Sequence, residues 1–140
     1  MKMLIISNLW CVGMHHWGSK QLSVSAWYKL QREEENPKDP NAVCVLDGPH
    51  KKAYLKRENS FIVSKLIIRW LWWLSNYWLL KPKEDPVVRN RRTGPQQRSS
   101  IGCKTSASAA KLDEVASLFE VGIIFELKDL IFFLKYARSL

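Results

Sequence analysis

The chain has 140 residues, which fits one domain and leaves little room for a second. Hydrophobic residues make up 46% of it, enough to build a core, and its three widely spaced cysteines exclude a disulfide framework or a zinc-finger cage. The formal net charge is +9, most of it in residues 61–111. This excess indicates either a polyanionic partner such as nucleic acid or a Trp-rich protein that its Lys and Arg keep soluble.

The first half of the chain predicts four strands. Residues 3–12 are rich in Leu, Ile and Trp and predict a buried strand, followed by a loop with two His and a Trp. Residues 21–32 alternate loosely between apolar and polar side chains, which predicts a strand with one covered face. Residues 42–46 and 51–55 predict short strands on either side of an Asp-Gly-Pro turn. The Asn-Pro and Asp-Pro steps in residues 36–41 predict a polar turn at the lip of a hairpin.

A helix is predicted after these strands. Asn59 or Ser60 would cap it, and apolar residues recur at helical spacing over residues 61–77. Indoles at such spacing are usually core or protein interface rather than a base-stacking strip. This expectation applies to Trp70, Trp72, Trp73 and Trp78.

The remaining segments are less regular. Residues 81–111 are polar and allow two interpretations: strands at 87–92 and 98–104 around a Thr-Gly-Pro turn, or a mobile basic loop. Residues 112–140 predict a second, C-terminal helix that bends or breaks at Gly122. Together the elements favour a small barrel with appended helices over a parallel α/β sheet.

Three apolar runs, at residues 1–14, 66–80 and 121–134, are candidate membrane segments by their apolar character. The first lacks the cleavage site of a signal peptide, and charged or polar residues interrupt the other two. All three are therefore expected to face a protein core. Binding of the Trp-rich segment to a membrane surface stays open as an alternative.

The run LQREEENPKDPNAVCV at residues 30–45 resembles the central motif of the HIRAN domain family, Arg-Glu/Asp-Pro-x-Asn-Pro-x-Asp-x-Asn-Ala followed by an apolar strand. A second block, AYLKRE at residues 53–58, is similar to that family's strand and basic pair. Upstream, GMHHW at residues 13–17 lies at the distance of the family's aromatic pair. The resemblance covers roughly residues 10–70, half of the chain.

The resemblance implies a mainly β protein, an OB-like β-barrel with one helix after the core strands and a C-terminal helix. Residues 1–105 would form the barrel, with the motif core at 10–70, and residues 106–140 a helical extension. It also implies a non-catalytic module that binds single-stranded DNA at a 3′-hydroxyl end, in an intracellular, nuclear protein of DNA repair. Family members often carry Swi/Snf-type ATPases, but no phosphate-binding Gly-x-x-x-x-Gly-Lys-Ser/Thr motif is present in this sequence. No enzyme activity, cofactor or metal is expected; single-stranded DNA or RNA, and a protein held by the Trp-rich helix, are the expected partners.

The resemblance carries nucleic-acid-binding roles onto nine residues. Asp39 would accept a hydrogen bond from the terminal hydroxyl and repel a continuing phosphate. Its alternative role, shared with Asn36, is to build the turn before a proline. The full set is Asp39, Asn36, His15, His16, Trp17, Lys38, Tyr54, Lys56 and Arg57.

Several of these residues depart from the family pattern. His16 and Trp17 stand where the family has its aromatic pair, and both rings can stack on a base. Lys38 occupies a position that is often aromatic and cannot stack in the same way. Tyr54 replaces the usual His and is either a ring partner or a core residue. Lys56 and Arg57 match the basic pair, which would meet phosphates or simply lie solvated at the start of the helix.

These departures leave two alternatives open. The first is a protein–protein interaction domain of the same fold that has lost the DNA-end pocket. The second is an enzyme in which His15 and His16, with Asp39 or Cys11, form a metal or nucleophile site. Adjacent residues on a strand point apart and no third ligand lies at a helpful spacing, so the sequence disfavours the enzyme.

Overall fold

The fold is an antiparallel β-structure that carries an α-helix directly after its fourth strand. The computed structural model describes residues 2–69, 78–84, 87–90, 92, 94–105, 113–114, 116–117 and 123–129. Its strands are β1 Lys2–Val12, β2 Tyr28–Arg32, β3 Val43–Asp47, β4 His50–Leu55, β5 Leu79–Pro82, β6 Val88–Asn90, β7 Gly94–Thr105 and β8 Ile124–Asp129. Helix α1 spans Arg57–Arg69, and a single 3₁₀ turn spans Met14–Trp17.

Six strands close into a barrel. Hydrogen bonds join them in the order β7, β5, β2, β3, β4 and β1, and β1 pairs again with β7. Closure removes the exposed edges of these strands. The predicted OB-like barrel is thereby confirmed, and so are the strands expected at residues 3–12, 42–46 and 51–55.

Strand β1 closes the barrel, and its length allows it to pair with three strands, β4, β7 and β8. Along one edge it pairs with β7, with a register shift between Ile6 and Leu9. Along the other edge, Cys11 and Val12 pair with β4, while residues 2–7 pair with β8. Asn8, at the register shift, has a positive φ of 65°. The shift bends β1, as bulges commonly do in closed barrels.

The barrel interior holds the core. Its side chains alternate along the strands with outward-facing ones, as in Leu9 and Cys11 of β1, which are fully buried. Helix α1 covers one end of the barrel with Val63 and Leu66, both fully buried. Trp78, 1% exposed, also belongs to this core, as expected for an indole outside the motif.

The segment at residues 21–32 is a strand only from Tyr28 onward, so the prediction was too long. At Leu22, the side chain of Gln97 makes the backbone hydrogen bonds that a neighbouring strand would otherwise make. The amide of Gln97 accepts a hydrogen bond from the Leu22 N–H at 2.7 Å and donates one to its carbonyl at 3.1 Å. These bonds satisfy the buried backbone without a β-ladder, so residues 21–27 follow an irregular path.

The helix begins earlier than its predicted caps. The Lys56 carbonyl accepts the first helical bond, from the Ser60 N–H at 2.9 Å, so helical hydrogen bonding already includes Arg57. The predicted cap Asn59 instead accepts a hydrogen bond from the backbone N–H of Trp10 at 3.0 Å. Ser60 donates its hydroxyl to the Leu55 carbonyl. Residues 70–77, the rest of the predicted helix with its Trp cluster, lie outside the described residues.

The prediction of a C-terminal helix is wrong at residues 124–129, because these residues form strand β8. This strand pairs with residues 2–7 of β1, the edge that β4 leaves open. Long-range pairing of this kind overrides local helical spacing. Of the rest of the predicted extension, residues 113, 114 and 116 are helical, and residues 130–140 lie outside the described part. The domain division at residue 105 stays a prediction.

The polar segment after residue 81 follows the strand alternative. β6 and β7 flank the predicted turn and pair from Val88 with Gln96 to Asn90 with Gly94. β7 begins at Gly94, four residues earlier than predicted, because it pairs with both β6 and β1. In the described part of the chain, no helix combines the length and apolar character needed to cross a membrane.

Candidate functional site

The turn between β2 and β3 is built around Asn36. Its side-chain carbonyl accepts hydrogen bonds from the backbone N–H groups of Lys38 and Asp39, at 3.0 and 3.2 Å. Its amide donates to Glu33 at 3.1 Å. These contacts give Asn36 the turn-building role that an Asn before a Pro often has. A direct ligand contact from Asn36 stays a prediction.

Asp39 both shapes the turn and exposes a carboxylate. Its Oδ1 accepts the Asn41 N–H at 3.0 Å, and its backbone carbonyl accepts the Ala42 N–H at 3.1 Å. Oδ2 makes no hydrogen bond to any described residue. The side chain is half-buried at the surface. Asp39 therefore forms the expected Asx turn and keeps one carboxylate oxygen without a hydrogen bond to the described residues.

Glu33 is the polar centre of the neighbouring surface. It follows β2 directly, and its carboxylate accepts hydrogen bonds from the Tyr54 hydroxyl at 2.8 Å and the Asn36 amide at 3.1 Å. Its second oxygen forms an ion pair with Lys51. One carboxylate thus connects the turn, the end of β2 and the outer face of β4.

The pKa of Glu33 reflects these partners. Partial burial raises the pKa, but hydrogen bonds from Lys51, Tyr54 and Asn36 together outweigh burial and lower it below its ordinary value. The same contact raises the pKa of Lys51. Burial, followed by the hydrogen bond to Glu33, raises the pKa of the Tyr54 hydroxyl. Near neutral pH, Glu33 is therefore ionised while Tyr54 keeps its proton and donates.

The aromatic residues of the site come from two elements. Tyr54 lies on β4 between the core residues Ala53 and Leu55, so its ring points out of the barrel. The 3₁₀ turn places Trp17 beside it, with ring centroids 5.7 Å apart and planes at 41°. Both residues of this tilted pair are half-buried, which places Tyr54 on the outer face and not in the barrel core.

The two histidines extend this aromatic group. The His16 ring meets Trp17 edge-on at 6.0 Å and lies 4.1 Å from the His15 ring. His15 in turn rests on Gly94, where an added Cβ would lie 2.5 Å from its ring. Both imidazoles are exposed. They extend the group from Trp17, while at the other ring the Lys51 ammonium lies 5.9 Å from the Tyr54 centroid.

The basic residues divide between two depressions. The first, about 660 Å³, is lined by Glu33, Asn36, Lys38, Lys51 and Tyr54 among others. The second, about 680 Å³, brings Asp39 and Arg57 together with Phe61 of α1. Lys38 lines both, so the depressions are adjacent. We call the first the Tyr54 depression and the second the Asp39 depression.

Lys56 lines neither the Tyr54 depression nor the Asp39 depression. Its backbone N–H donates to the Trp10 carbonyl at 2.8 Å, and its ammonium lies 3.8 Å from Glu58. The structure therefore brings eight of the nine predicted residues to two adjacent depressions and one aromatic group, with Lys56 at the margin toward β1. Their contact with nucleic acid stays a prediction.

A third depression, about 440 Å³, contains none of the predicted residues. It lies at the start of β1 and includes Met3, Ile5 and Trp27. The Lys81 ammonium lies 5.2 Å from the Trp27 ring centroid.

The cysteines and histidines do not assemble a catalytic centre in the described part of the chain. Cys11, Cys44 and Cys103 are buried free thiols. Burial raises the pKa of Cys11 to about 12 and that of Cys44 to about 11, which disfavours the nucleophilic thiolate. Among the described residues, no group of three or more His, Cys, Asp or Glu is arranged to hold a metal ion.

Comparisons with known proteins were made for both sequence and fold. No protein-family model matches the sequence. No curated protein matches it either. The crystal structure of the HIRAN domain of human HLTF matches the fold with a TM-score of 0.56, over 86% of this chain and 96% of that one, at 18% sequence identity. This chain has a HIRAN-like fold. The likeness to that structure shows the fold alone, and supports the resemblance noted in the motif.

Glu33 and Lys51 are the site residues that the sequence reasoning missed. Glu33 lies within the motif at residues 30–45, among Arg32, Glu34 and Glu35, and nothing in that charged run distinguishes it. Lys51 lies on the opposite strand of the next hairpin. Only the pairing of β3 with β4 places it and Tyr54 within reach of Glu33.

Proposed function

We propose that this HIRAN-like domain is a non-catalytic module that binds single-stranded DNA at a free 3′-hydroxyl end. The observation that carries the proposal is the Asp39 carboxylate, which lies beside Lys38 and Arg57 in one depression and keeps one oxygen without a hydrogen bond to the described residues. A carboxylate accepts a hydrogen bond from a terminal hydroxyl and repels a phosphate that would continue the strand. The neighbouring cations suit the preceding phosphate.

The aromatic group supports the same function. Trp17 and Tyr54 present partly exposed rings next to the depressions, at a separation typical of paired aromatics. Stacking of a base on such rings contributes about 1–3 kcal/mol and tolerates any base. Lys38 cannot form the second wall of a base sandwich, so we infer one-sided stacking. The net charge of +9 favours approach to any polyanion. We further propose an intracellular, nuclear setting in DNA repair, as the family resemblance implies.

The test removes the Asp39 charge and keeps its turn. In Asp39→Asn the side-chain oxygen can still accept the Asn41 N–H, so the turn should survive. Binding of labelled single strands ending in a 3′-hydroxyl or a 3′-phosphate is measured by fluorescence anisotropy. The unaltered protein should prefer the hydroxyl end by about 10- to 100-fold, the size of one hydrogen bond to a charged group. Asp39→Asn should lose that preference.

The matched control is Asp47→Asn, an exposed acid at the β3–β4 hairpin that lines neither depression. It changes net charge equally and should keep the preference. Equal affinity of the unaltered protein for both ends would refute the end-binding claim. An Asp39→Asn protein that still prefers the hydroxyl would remove Asp39 from the site.

A protein-interaction domain is the second candidate. Phe61, 45% exposed, forms an apolar wall of the Asp39 depression together with Ile62 and Ile123, which a peptide side chain could contact. Salt dependence separates the candidates. Binding to a single strand weakens with salt by about 0.7 log units per log unit of salt for each phosphate neutralised. Failure to bind any single strand at low salt would favour the protein partner.

A further inference from the structure

The outer face of the barrel continues beyond Tyr54, on the side away from Glu33. In the strand order, β3 and β2 lie on one side of β4, and β1 and β7 lie on the other. Val12 of β1 pairs with Tyr54 and, across its other edge, with Gln96 of β7. The next outward pair along these two strands is Trp10 with Arg98.

Alternation fixes which side chains share this face. Leu9 and Cys11 are fully buried in the barrel, so Trp10 and Val12 point outward. Gln97 and Ser99 are buried in the same way, which turns Arg98 outward. The pairing register therefore places Trp10 and Arg98 on the same face as the Tyr54 ring.

Trp10 and Arg98 form a stacked pair on that face. The Arg98 guanidinium lies 4.8 Å from the centroid of the Trp10 ring, a cation–π geometry. The backbone of Trp10 is held at both of its polar groups. Its N–H donates to Asn59 at 3.0 Å, and its carbonyl accepts the Lys56 N–H at 2.8 Å. The indole thus projects from a fixed position beside Lys56, the basic residue at the margin of the predicted site.

The pair is suited to a nucleotide of an extended strand. Residues two apart on a strand are separated by about 7 Å, so Trp10 lies one such step from the Val12–Tyr54 row. An indole and a guanidinium plane both stack on nucleobases. The charge of Arg98 also favours a nearby phosphate. A strand that leaves the Trp17–Tyr54 pair across β1 would meet this platform next.

We propose that Trp10 and Arg98 form a second stacking position, which binds a nucleotide on the 5′ side of the one held at Trp17 and Tyr54. The inference rests on the proposed function, because it needs a single strand whose end lies at Asp39. The proposal predicts that a longer strand binds more tightly because it also contacts the Trp10–Arg98 pair on β1 and β7. Thymidine 5′-monophosphate held at Asp39 fills the first position alone, and an octanucleotide also reaches the second.

The test compares thymidine 5′-monophosphate with octathymidine, both ending in a 3′-hydroxyl, on the unaltered chain and on Trp10→Ala, by anisotropy and by competition. Trp10→Ala should weaken octanucleotide binding about 5- to 150-fold, the value of one stacked base. Binding of the monophosphate should change less than about twofold. Trp10→Phe, which keeps a ring and guards against misfolding of the Ala variant, should lose less than Trp10→Ala.

Trp27→Ala is the matched control. Trp27 is also half-buried and also lies under a cation, Lys81, but in the depression at the opposite end of β1. It should leave both affinities unchanged. Octanucleotide binding that falls no further in Trp10→Ala than in Trp27→Ala would overturn the second position while the proposed function stands. An equal loss for both lengths would overturn it too. Absence of binding by the unaltered protein at either length would refute the proposed function itself.

The substitution Arg98→Lys distinguishes stacking by the guanidinium from a purely structural role of Arg98. Lys keeps the charge but loses the plane that stacks on the indole and on a base. The octanucleotide should bind more weakly while the slope of affinity against salt stays unchanged. A changed slope with unchanged affinity at low salt would contradict the stacking role of Arg98.

Discussion

Replacing Glu33 by Gln tests the polar centre of the candidate site. The Glu33 carboxylate accepts hydrogen bonds from Tyr54 and Asn36 and pairs with the Lys51 ammonium. Gln keeps the shape of the side chain but removes the charge, so its amide must face Lys51 with a donor. The Glu33 side chain is only 14% exposed, so water replaces the lost contacts poorly. Hydrogen bonds to charged groups are worth about 1.5–3 kcal/mol, and partial retention by Gln leaves an expected loss of about 1–2 kcal/mol.

Glu34→Gln is the control. The Glu34 side chain is 70% exposed and contacts Arg32 at 3.1 Å, a surface ion pair worth about 0–1 kcal/mol. Urea unfolding, followed by Trp fluorescence at pH 7, should show Glu33→Gln as clearly the less stable of the two variants. Equal free energies of unfolding would refute the role assigned to Glu33.

Acid provides a second check on the same residue. The pKa of Glu33 is lowered from its ordinary value of 4.5, so the unfolded chain takes up the proton first as pH falls. The stabilisation is therefore complete above pH 4.5 and is lost as pH falls through the lower, folded value. The difference between the unaltered protein and Glu33→Gln should shrink toward zero in acid. A difference that persists unchanged at about pH 3 would show that the variant acts through packing rather than charge.

Three further changes probe the fold around the site. Gln97→Ala should cost about 2 kcal/mol or more in urea unfolding, because the N–H and carbonyl of Leu22, 3% exposed, lose both partners; a loss below 0.5 kcal/mol would contradict this. Gly94→Ala should destabilise by about 1–2 kcal/mol and shift the His15 imidazole resonances in NMR spectra, since φ is +75° and the new Cβ would overlap His15. The native thiols, with the pKa of Cys11 raised to about 12 and that of Cys44 to about 11, should react with a disulfide reagent only after denaturation; rapid native reaction would contradict their burial.

The sequence identified the parts of the fold whose pattern is local. The β3–β4 hairpin follows from two apolar runs around an Asp-Gly-Pro turn, and Gly48 adopts the positive φ of 57° that the turn needs. The barrel class followed from the succession of short strands and from the motif at residues 30–45. These features depend on neighbours in the chain, so their residues alone were sufficient.

The features that sequence reasoning missed depend on distant partners. Leu22 lacks a strand neighbour because the Gln97 side chain, 75 positions away, satisfies its backbone. β8 is a strand because β4 leaves part of β1 unpaired. Asn59 looks like a helix cap, yet its acceptor meets the Trp10 N–H of β1. In each case a long-range hydrogen bond outweighs a local preference.

The candidate site shows the same division. Asp39 and its turn could be predicted because the Asn-Pro-Lys-Asp-Pro run defines local geometry. The Glu33–Lys51–Tyr54 group and the Trp10–Arg98 pair could not, since each joins residues of different strands through the barrel register.

The central claim is that the domain recognises the end of a single strand. The most direct measurement is a competition between two otherwise identical oligothymidines, one with a 3′-hydroxyl and one with a 3′-phosphate, for the unaltered protein across a range of salt concentrations. End recognition predicts that the hydroxyl strand wins by about 10-fold or more and that its affinity falls steadily with salt. Equal competition by the two strands, or binding that salt does not weaken, would contradict recognition of the 3′-hydroxyl end.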